Sequence, residues 1–486
     1  MTAADAVTEI LAAVAPELAG TPFEARAQSI RARLEGPLQV AIAGRVKAGK
    51  STLLNALVGE RLAPTDAGEC TKVVTWYRRG QAYQVTARLA GGGERPLEFD
   101  RGGGELEISL GDLSVAEVTA IDVAWPASTL DQLTLIDTPG LASINDDNSR
   151  RTREFLEHDA DHAADADAVI YLMRHLHRSD VAFLDAFMDR SVTAASPVNA
   201  VAVLSRADEI GAGRRDAMDS ALRIANRYRS DPAVTSLAAT VVPIAGLLAE
   251  TALTLREDEA AALRAVASIP EPTLELMLMS ADQFCELESD GVPPETRREL
   301  IDRLGLFGVR ISVDLVRSGA TTAAALAPKL LEQSGLNRLQ KLIADHFLPR
   351  ARVLQARSAL VALRSLAHDL APFNAALADR LDRDAERVEA SAVDFARIRA
   401  AHLVASGTVT VRADERADLD RLLLGSGNRA LGVADDAPEA AVQQAALAQI
   451  ERWRRRAGEP LASPAEVEVF ETAARVGEAA YGTAAR

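Results

Sequence analysis

One short motif constrains the fold of this 486-residue chain more than any other feature. Residues 44–51 read GRVKAGKS, which is Gly, four residues and then Gly-Lys-Ser. An apolar run at 37–44 leads into the motif, and residues 53–57 follow it with helical apolar spacing. Glycines let backbone N–H groups wrap around phosphates, and the N-terminus of the following helix favours an anion. The strand–loop–helix context therefore predicts a phosphate-binding P-loop inside an α/β domain.

The residue types in this loop have separate expected roles. Lys50 is placed to reach the β- and γ-phosphates of a nucleotide, and Ser51 is placed to ligate Mg²⁺. The loop therefore predicts a nucleotide with its magnesium ion as the ligand. The predicted contacts are Gly44, Lys47, Ala48, Gly49, Lys50, Ser51 and Thr52.

The rest of the first half alternates strand and helix patterns. Apolar runs at 133–137, 168–173 and 200–205 indicate buried strands, with helical patterns after them. Strand-like runs between 72 and 125, separated by glycine-rich turns, indicate extra strands. Beyond about residue 250 the pattern is helical. We therefore predict an α/β domain with a mostly parallel, doubly wound sheet and extra strands, joined to an α-helical bundle.

A second motif, DTPG at 137–140, follows the buried run at 133–136. A carboxylate at the end of a buried strand can hold Mg²⁺ through water, and the Gly140 N–H can contact a γ-phosphate. Alone, such a sequence is compatible with an ordinary turn at a strand end. Downstream of a P-loop, it predicts Asp137 as a metal-site residue and both Asp137 and Gly140 as nucleotide contacts.

A third motif, SRAD at 205–208, ends the run at 200–205. The Asp208 carboxylate can accept hydrogen bonds from the N1 and N2 donors of guanine, a pair of donors that adenine lacks. Ser205 and Arg206 would complete this base site, with the stem of Arg206 against the plane of the base. A solvated turn is the alternative. Backbone groups at Ala245, within the predicted strand and loop at 242–246, are a further candidate contact to the base.

The segment PTDAGECT at 64–71 lies between the P-loop and DTPG. A threonine here can supply its hydroxyl to Mg²⁺ and its N–H to the γ-phosphate, and release of the segment after hydrolysis would act as a switch. Thr71 is the first candidate and Thr65 the second. The neighbouring Cys70 is compatible with a redox role or with a small buried side chain. Thr71 is therefore predicted as a metal ligand and as a member of the catalytic site.

Together these motifs resemble those of the dynamin superfamily of large GTPases. The resemblance rests on GRVKAGKSTLLNAL, on CT before a VVTW strand, on DTPGL and on SRADEIG. Within that superfamily, the chain resembles the isoniazid-inducible dynamin-like proteins of mycobacteria over nearly its whole length. The resemblance implies binding of GTP and GDP with Mg²⁺, GTP hydrolysis, GTP-dependent dimerisation or self-assembly and, in some members, membrane remodelling.

The same motifs lack one familiar catalytic group. Leu141 follows DTPG at the place where Ras-like enzymes have a water-orienting glutamine. Dynamin-like proteins also lack that glutamine and use P-loop and switch groups, completed by dimerisation across the nucleotide. The resemblance therefore makes Lys47 and Arg45 the candidate catalytic cations, because Lys47 occupies the position of a catalytic arginine in the related guanylate-binding proteins. The alternative is that both side chains point to solvent or stabilise the loop.

The chain divides into three predicted parts. Residues 1–36 are N-terminal helices that join the bundle. Residues 37–350 form the dynamin-type GTPase domain, with a helical insertion at about 255–330. Residues 351–486 form the helical, stalk-like bundle.

Charge and composition limit the partners. The net charge of −16 argues against nucleic acid. Two cysteines and an acidic N-terminal segment indicate a cytoplasmic protein without an export signal. The expected partner is a second copy or a paralogue, bound through the GTPase domain. A peripheral position at the inner face of the cell membrane is a further hypothesis. It rests on the basic patch RWRRR at 452–456, for which a helix end with a buried tryptophan is the alternative.

Two functions are compatible with these observations. The first is a dynamin-like GTPase whose hydrolysis is coupled to dimerisation and to membrane remodelling. The second is a nucleotide-gated interaction module that hydrolyses little, pairs with a paralogue and binds no membrane. A P-loop ATPase is disfavoured because Asp208 selects against adenine.

Overall fold

The computed structural model describes residues 2–45, 47–63, 73–101, 106–138, 166–174, 199–231, 234, 238–287, 291–405, 407–425 and 427–484. Its strands are β1 Leu38–Gly44, β2 Val74–Arg79, β3 Gln84–Leu89, β4 Glu94–Pro96, β5 Glu98–Asp100, β6 Glu107–Ser109, β7 Val118–Trp125, β8 Leu133–Asp137, β9 Ala168–Met173, β10 Ala200–Ser205 and β11 Val241–Ile244.

Helices make up most of the remaining described chain. They are α1 Ala3–Leu18, α2 Glu24–Glu35, α3 Lys50–Val58, α4 Ala217–Arg229, α5 Gly246–Leu253, α6 Glu257–Ala267, α7 Glu271–Met277, α8 Ala281–Glu286, α9 Pro294–Arg317, α10 Ala323–Ser334, α11 Leu336–Leu342, α12 Ala351–Leu370, α13 Ala375–Ser391, α14 Val393–Ala405, α15 Ala413–Leu424, α16 Gly427–Ala430, α17 Glu439–Ala457 and α18 Pro464–Ala484.

The main sheet has nine strands in the order β11-β10-β9-β1-β8-β2-β7-β3-β4. The pairs β10–β11, β9–β10, β1–β9, β1–β8 and β2–β7 are parallel. The pairs β2–β8, β3–β7 and β3–β4 are antiparallel. The sheet is therefore mostly parallel with extra strands at one side, and the fold class predicted from the sequence is confirmed. Strands β5 and β6 pair with each other in a separate small sheet.

Both faces of the main sheet are covered, as a parallel sheet requires. One face packs against α3, α11 and the start of α12, with Leu53, Leu339 and Leu354 among the buried side chains. On the opposite face, Ala221 and Ala225 of α4 are part of the buried cluster. These layers hold the strand ends rigidly, and the candidate site is built on those ends.

Helices α5 to α10 form a separate helical unit beside the sheet. Their core contains Leu248, Leu263, Phe284, Phe307 and Leu326, all fully buried or nearly so. The short helices α7 and α8 are not predicted by the sequence, because helices of seven and six residues are too short to show a helical apolar period. This unit begins at Gly246 and ends at Ser334, and the insertion that the sequence suggests at about 255–330 stays a prediction.

The connection between the sheet and the long helices differs from the sequence prediction. Residues 337–366 predict one continuous helix, whereas α11 is followed by a π-turn at Ile343–Phe347 and a 3₁₀ turn at Leu348–Arg350 before α12 begins. Pro349 explains the change, because proline lacks the N–H of an α-helical hydrogen bond and its ring clashes with the preceding turn.

The long helices form two cores instead of one bundle. Helices α1 and α2 pack against α12 and α13 around Val7, Leu11, Leu363 and Leu381. Residues from 400 onwards pack around a second centre of their own, and the boundary lies where Ala392 adopts an extended backbone between α13 and α14. The three-part division of the chain itself stays a prediction.

The basic patch at 452–456 lies at the end of α17 and is not a membrane-facing tryptophan site. Trp453 is fully buried, its indole N–H donates to Gln449 Oε1 at 2.7 Å, and its ring stacks on Phe470. Arg452, Arg454 and Arg456 each pair with carboxylates of the same helical core. The alternative, a helix end with a buried tryptophan, is therefore correct. Among the described helices, none is both long enough and apolar enough to cross a membrane.

A buried polar joint connects the sheet to the first helical core. Asp167, immediately before β9, accepts hydrogen bonds from the Gln39 N–H at 2.9 Å and from the Ser358 hydroxyl of α12. Nη2 of Arg33, on α2, lies 3.5 Å from its carboxylate. Gln355 of α12 donates to the carbonyl oxygens of Arg33 and Gly36, at 3.0 and 2.9 Å. The joint therefore ties both helices to the base of the sheet.

We expect loss of the Asp167 carboxylate to lower the free energy of unfolding. Asp167→Ala should lower stability by about 3–5 kcal/mol, because the buried Arg33 guanidinium would lose its carboxylate. The urea midpoint and the thermal midpoint measure the effect. The matched control is Asp369→Ala, which removes the partner of the exposed Arg26 and should cost less than about 1 kcal/mol. Equal losses of stability in the two variants would contradict the proposed contribution of Asp167 to folding.

Candidate nucleotide-binding site

The three sequence motifs meet at one edge of the main sheet. Strands β1, β8, β10 and β11 run parallel through their shared neighbours, so their carboxyl ends lie on the same side. The P-loop follows β1, Asp137 is the last residue of β8, and Ser205 is the last residue of β10. Crevices at the carboxyl ends of parallel strands are where α/β sheets bind ligands.

Gly44 is the last residue of β1, and its lack of a side chain allows the P-loop to begin very close to β9. Its φ is 151°, and a Cβ at this position would lie 2.6 Å from the carbonyl oxygen of Leu172. No other residue fits there without moving the backbone of the neighbouring strand. The loop then enters α3 at Lys50, so the first turn of that helix faces the loop.

Lys50, Ser51 and Asp137 come together at the start of α3. Nζ of Lys50 donates to the carbonyl oxygen of Gly44 at 3.4 Å, across the loop. The Ser51 hydroxyl donates to Oδ2 of Asp137 at 3.3 Å. Oδ1 of Asp137 is buried and has no hydrogen-bond partner among the described residues. Burial raises the pKa of Asp137 to about 6, against the opposing effects of the Lys50 charge and the Ser51 hydroxyl.

These groups fit a magnesium ion. A hydroxyl and an adjacent carboxylate are hard oxygen ligands, and Mg²⁺ in nucleotide sites typically takes one or two such groups together with water and phosphate oxygens. The unpartnered Oδ1 of Asp137 supports the assignment, because a buried carboxylate oxygen without a partner is costly. Ser51 would hold the ion directly, and Asp137 would hold it directly or through water.

A cavity of about 150 Å³ lies beside the P-loop. Its polar wall includes Ser205, Arg206 and Asp208, and Thr52 and Ala48 line the side towards the P-loop. The cavity therefore joins residues from the first and third motifs, as the sequence predicts for a base site. The hydroxyl of Ser205 is buried and, within the described part of the chain, has no hydrogen-bond partner.

Asp208 provides a buried carboxylate at this cavity. It lies in a 3₁₀ turn at Ala207–Glu209 and is 7% exposed. Burial raises the pKa of Asp208 to about 6, with a further upward effect from Glu209 and opposing effects from its own backbone N–H and from the charges of Arg206 and Arg174. A desolvated carboxylate accepts hydrogen bonds strongly, so it favours a base that offers two donors.

Arg206 and Ala245 differ in part from the sequence expectations. Arg206 has a left-handed backbone with φ of 51°, and its guanidinium pairs with Glu209 at 2.7 Å while its side chain lines the cavity. The N–H of Ala245 donates to the Ser334 carbonyl, and the Ala245 carbonyl accepts from Ala249. Both polar backbone groups of Ala245 thus have partners within the protein.

The sequence motifs do not predict the apolar walls of the cavity. They come from Leu53, Leu172, Val203, Ile244 and Leu247, with Gly246 beside them. Several of these residues end or follow a buried strand, so the apolar runs contained a signal. The runs do not indicate, however, which of their side chains would face a ligand.

The two candidate catalytic cations lie on the exposed side of the P-loop. Lys47 is exposed and has a positive φ of 62°, which is uncommon outside glycine, and Arg45 is half-buried. The predicted site residues Thr71 and Gly140, with the alternative Thr65, the neighbouring Cys70 and Leu141, lie outside the described residues.

Comparison with known proteins agrees with this geometry. The dynamin family model matches residues 40–192. The isoniazid-induced protein IniC of two Mycobacterium tuberculosis strains (CDC 1551 / Oshkosh and ATCC 25618 / H37Rv) is 39% identical over 458 residues, covering 93% of this chain and 91% of the relative. A bacterial dynamin-like protein of Nostoc punctiforme is 41% identical over 66 residues, which are 14% of this chain and 9% of that protein.

Solved structures give a more distant similarity. A structure of an oligomerised bacterial dynamin pair covers 100% of this chain and 75% of its own chain, at a TM-score of 0.31 and 13% identity. Similarity at this level carries no argument about the arrangement of the parts.

A P-loop on a mostly parallel sheet with extra strands, followed by a large helical region, is the architecture of a dynamin-like GTPase. This chain belongs to the dynamin family, and its identity over nearly the full length of IniC places it in the bacterial, IniC-type group.

Asp208→Asn should change which base the site accepts. An amide cannot accept from both donors of guanine, so affinity for GDP should fall by roughly 100-fold, the loss of two hydrogen bonds to a charged acceptor. The amide N–H₂ can donate to the O2 carbonyl of xanthine, so affinity for xanthosine diphosphate should rise. Titration calorimetry with Mg²⁺ and each diphosphate measures both changes, with Asp216→Asn as an exposed control. Unchanged GDP affinity would exclude Asp208 as the base-reading group.

The same substitution should stabilise the nucleotide-free protein at neutral pH. The pKa of the Asp208 carboxyl is 3.8 in the unfolded chain and about 6 in the folded protein, so the folded protein binds this proton more tightly. The resulting contribution to stability is complete below pH 3.8 and is lost as pH rises through 6. An asparagine side chain does not titrate and loses nothing as pH rises. The free energy of unfolding of Asp208→Asn should therefore exceed that of the wild type by about 1–3 kcal/mol at pH 7.5. Thermal midpoints measured from pH 4 to 8 should show this difference shrinking towards pH 4. A pH-independent difference would contradict it.

Proposed function

We propose that this protein binds GTP with Mg²⁺ and hydrolyses it, and that hydrolysis is coupled to dimerisation through the face that carries the nucleotide. The proposal rests on one observation. A P-loop, a buried strand-end carboxylate and a cavity with a second buried carboxylate share one edge of the sheet, and one oxygen of the first carboxylate has no partner within the described part of the chain. Phosphates, magnesium and guanine each have a matching group there.

The binding step follows from the charges. Lys50, now donating to the Gly44 carbonyl, can turn its ammonium to the β- and γ-phosphates. Ser51 and Asp137 hold Mg²⁺, which supplies neutralisation of the phosphate charge. Asp208 accepts from the guanine base, and its burial disfavours adenine because the carboxylate would then lose its partners.

The catalytic step needs a cation near the bond between the β- and γ-phosphates. Lys47 is the better placed of the two candidates, since it is on the exposed surface of the phosphate loop, where a second molecule can cover it. Its strained backbone is a further reason to expect a role, because such residues cluster at functional sites. Covering the loop would exclude water and fix the cation, and such a cation is worth roughly 10³–10⁵ in rate.

A partner of the same fold is the proposed binding partner, either a second copy or a paralogue. Membrane remodelling is proposed only as a consequence of that assembly at the inner face of the membrane. The patch at 452–456 does not support it, because Trp453 is buried and three of the arginines are paired with carboxylates.

Phosphate release from GTP and ATP, measured over a range of protein concentrations, tests the proposal. We expect GTP to be hydrolysed in preference to ATP, with a specific rate that rises with protein concentration and is lost on removal of Mg²⁺. GTP binding without measurable release would favour the nucleotide-gated interaction module. Comparable use of ATP would contradict the base assignment.

The variant arm of the experiment separates binding from catalysis. Lys47→Ala should retain GDP binding and lose the concentration-dependent part of hydrolysis, whereas Lys341→Ala, an exposed lysine paired with Asp345, should match the wild type. Lys47→Gly should also lose hydrolysis while raising the thermal midpoint, because glycine relieves the positive φ. Full hydrolysis and dimerisation in both Lys47 variants would assign the residue to solvent or to loop stability.

A further inference from the structure

The helical unit formed by α5 to α10 lines part of the base cavity with Gly246 and Leu247 of α5, and its longest helix has a break close to Asp208. α9 spans 24 residues, but Gly305 has φ of 66° and ψ of 172°, a conformation that essentially only glycine adopts. The break therefore divides α9 into two helical halves. An isolated glycine break in a helix is unfavourable, so its position calls for an explanation.

The break lies against the base-reading carboxylate. A Cβ at Gly305 would lie 3.5 Å from Oδ2 of Asp208 and 4.0 Å from Cδ2 of Leu247, which lines the cavity. The backbone of α9 at Gly305 thus lies beside the carboxylate, separated from it by a gap that an added methyl group would fill at van der Waals distance. This proximity contributes to the burial of Asp208, because the helix occupies space that water would otherwise fill.

Each half of α9 is bonded to a different neighbouring segment. In the first half, the carbonyl of Arg303 accepts from the Thr251 hydroxyl of α5, and Arg303 Nε pairs with Glu259 at 2.7 Å. In the second half, Nη1 of Arg310 donates to the carbonyl of Gly213, in the loop that follows Asp208, at 2.8 Å. One broken helix is therefore bonded both to α5, which contributes Leu247 to the cavity, and to the loop that follows Asp208.

We propose that the break at Gly305 is a positioning element for base selection, which holds the Asp208 carboxylate in the orientation that reads both donors of guanine. The inference rests on the proposed guanine site and deepens it. The helical unit, which shares no residue with the sequence motifs, thereby determines the discrimination between guanine and a base with one donor fewer. Inosine diphosphate is the appropriate probe, because hypoxanthine keeps N1–H and lacks the exocyclic N2 amine.

The test compares GDP, inosine diphosphate and ADP by titration calorimetry with Mg²⁺. In the wild-type protein, GDP should bind more tightly than inosine diphosphate by about 10-fold or more, as expected for one hydrogen bond to a charged acceptor. Gly305→Ala should reduce this ratio towards 1. Gly319→Ala is the matched control: Gly319 also has a positive φ, of 102°, but a Cβ there has no atom within 4 Å, so the variant should lose stability and keep the ratio.

Arg310→Ala is a second variant that tests the same affinity ratio if Gly305→Ala fails to fold. It removes the bonds from Arg310 to the carbonyls of Gly213 and Leu278 without straining the backbone. It should reduce the ratio by about 2- to 5-fold, because the bond to Gly213 acts on Asp208 only indirectly. A wild-type ratio in Arg310→Ala, or in folded Gly305→Ala, would overturn the inference while leaving guanine binding intact. A wild-type protein that binds ADP as tightly as GDP would overturn the guanine site itself, and the inference with it.

Discussion

The burial of two carboxylates at one edge of a parallel sheet is the constraint on which this structure depends. Asp137 and Asp208 are both held where water is scarce, and burial raises the pKa of each to about 6. One oxygen of Asp137 is buried without a hydrogen-bond partner among the described residues. A magnesium ion and a guanine base would supply the missing partners, so stability is given up at the site and recovered on binding.

The surrounding layers serve this edge in different ways. Helices α3 and α11 and the start of α12 cover one face of the sheet and keep the strand ends in register. The broken helix α9 lies beside Asp208 at this edge, with Gly305 next to its carboxylate. Asp167 ties α2 and α12 to the base of the same sheet through contacts with Arg33 and Ser358.

The strongest local signals in the sequence predicted the structure well. The P-loop, DTPG and SRAD each lie at the end of a strand as expected, and the chain beyond about residue 250 is helical as predicted. Predictions failed where distant contacts decide. Residues 337–366 have a continuous helical pattern, but Pro349 and packing against the sheet divide them. The single bundle became two cores, because apolar spacing shows that a helix has a buried face and does not show which helix covers it.

The sequence by itself determined the family of this protein and predicted its chemistry. Glycine, lysine, serine and aspartate at fixed spacing are typical of sites that bind a nucleotide with magnesium, and overall similarity along the chain determined the dynamin family. Only the tertiary structure decided which groups surround those residues. It buried Trp453, gave the backbone of Ala245 other partners and brought Gly305 to Asp208 across nearly a hundred residues of chain. The physical reason is that local patterns report backbone preference and burial, whereas desolvation of a charge depends on every element that packs against it.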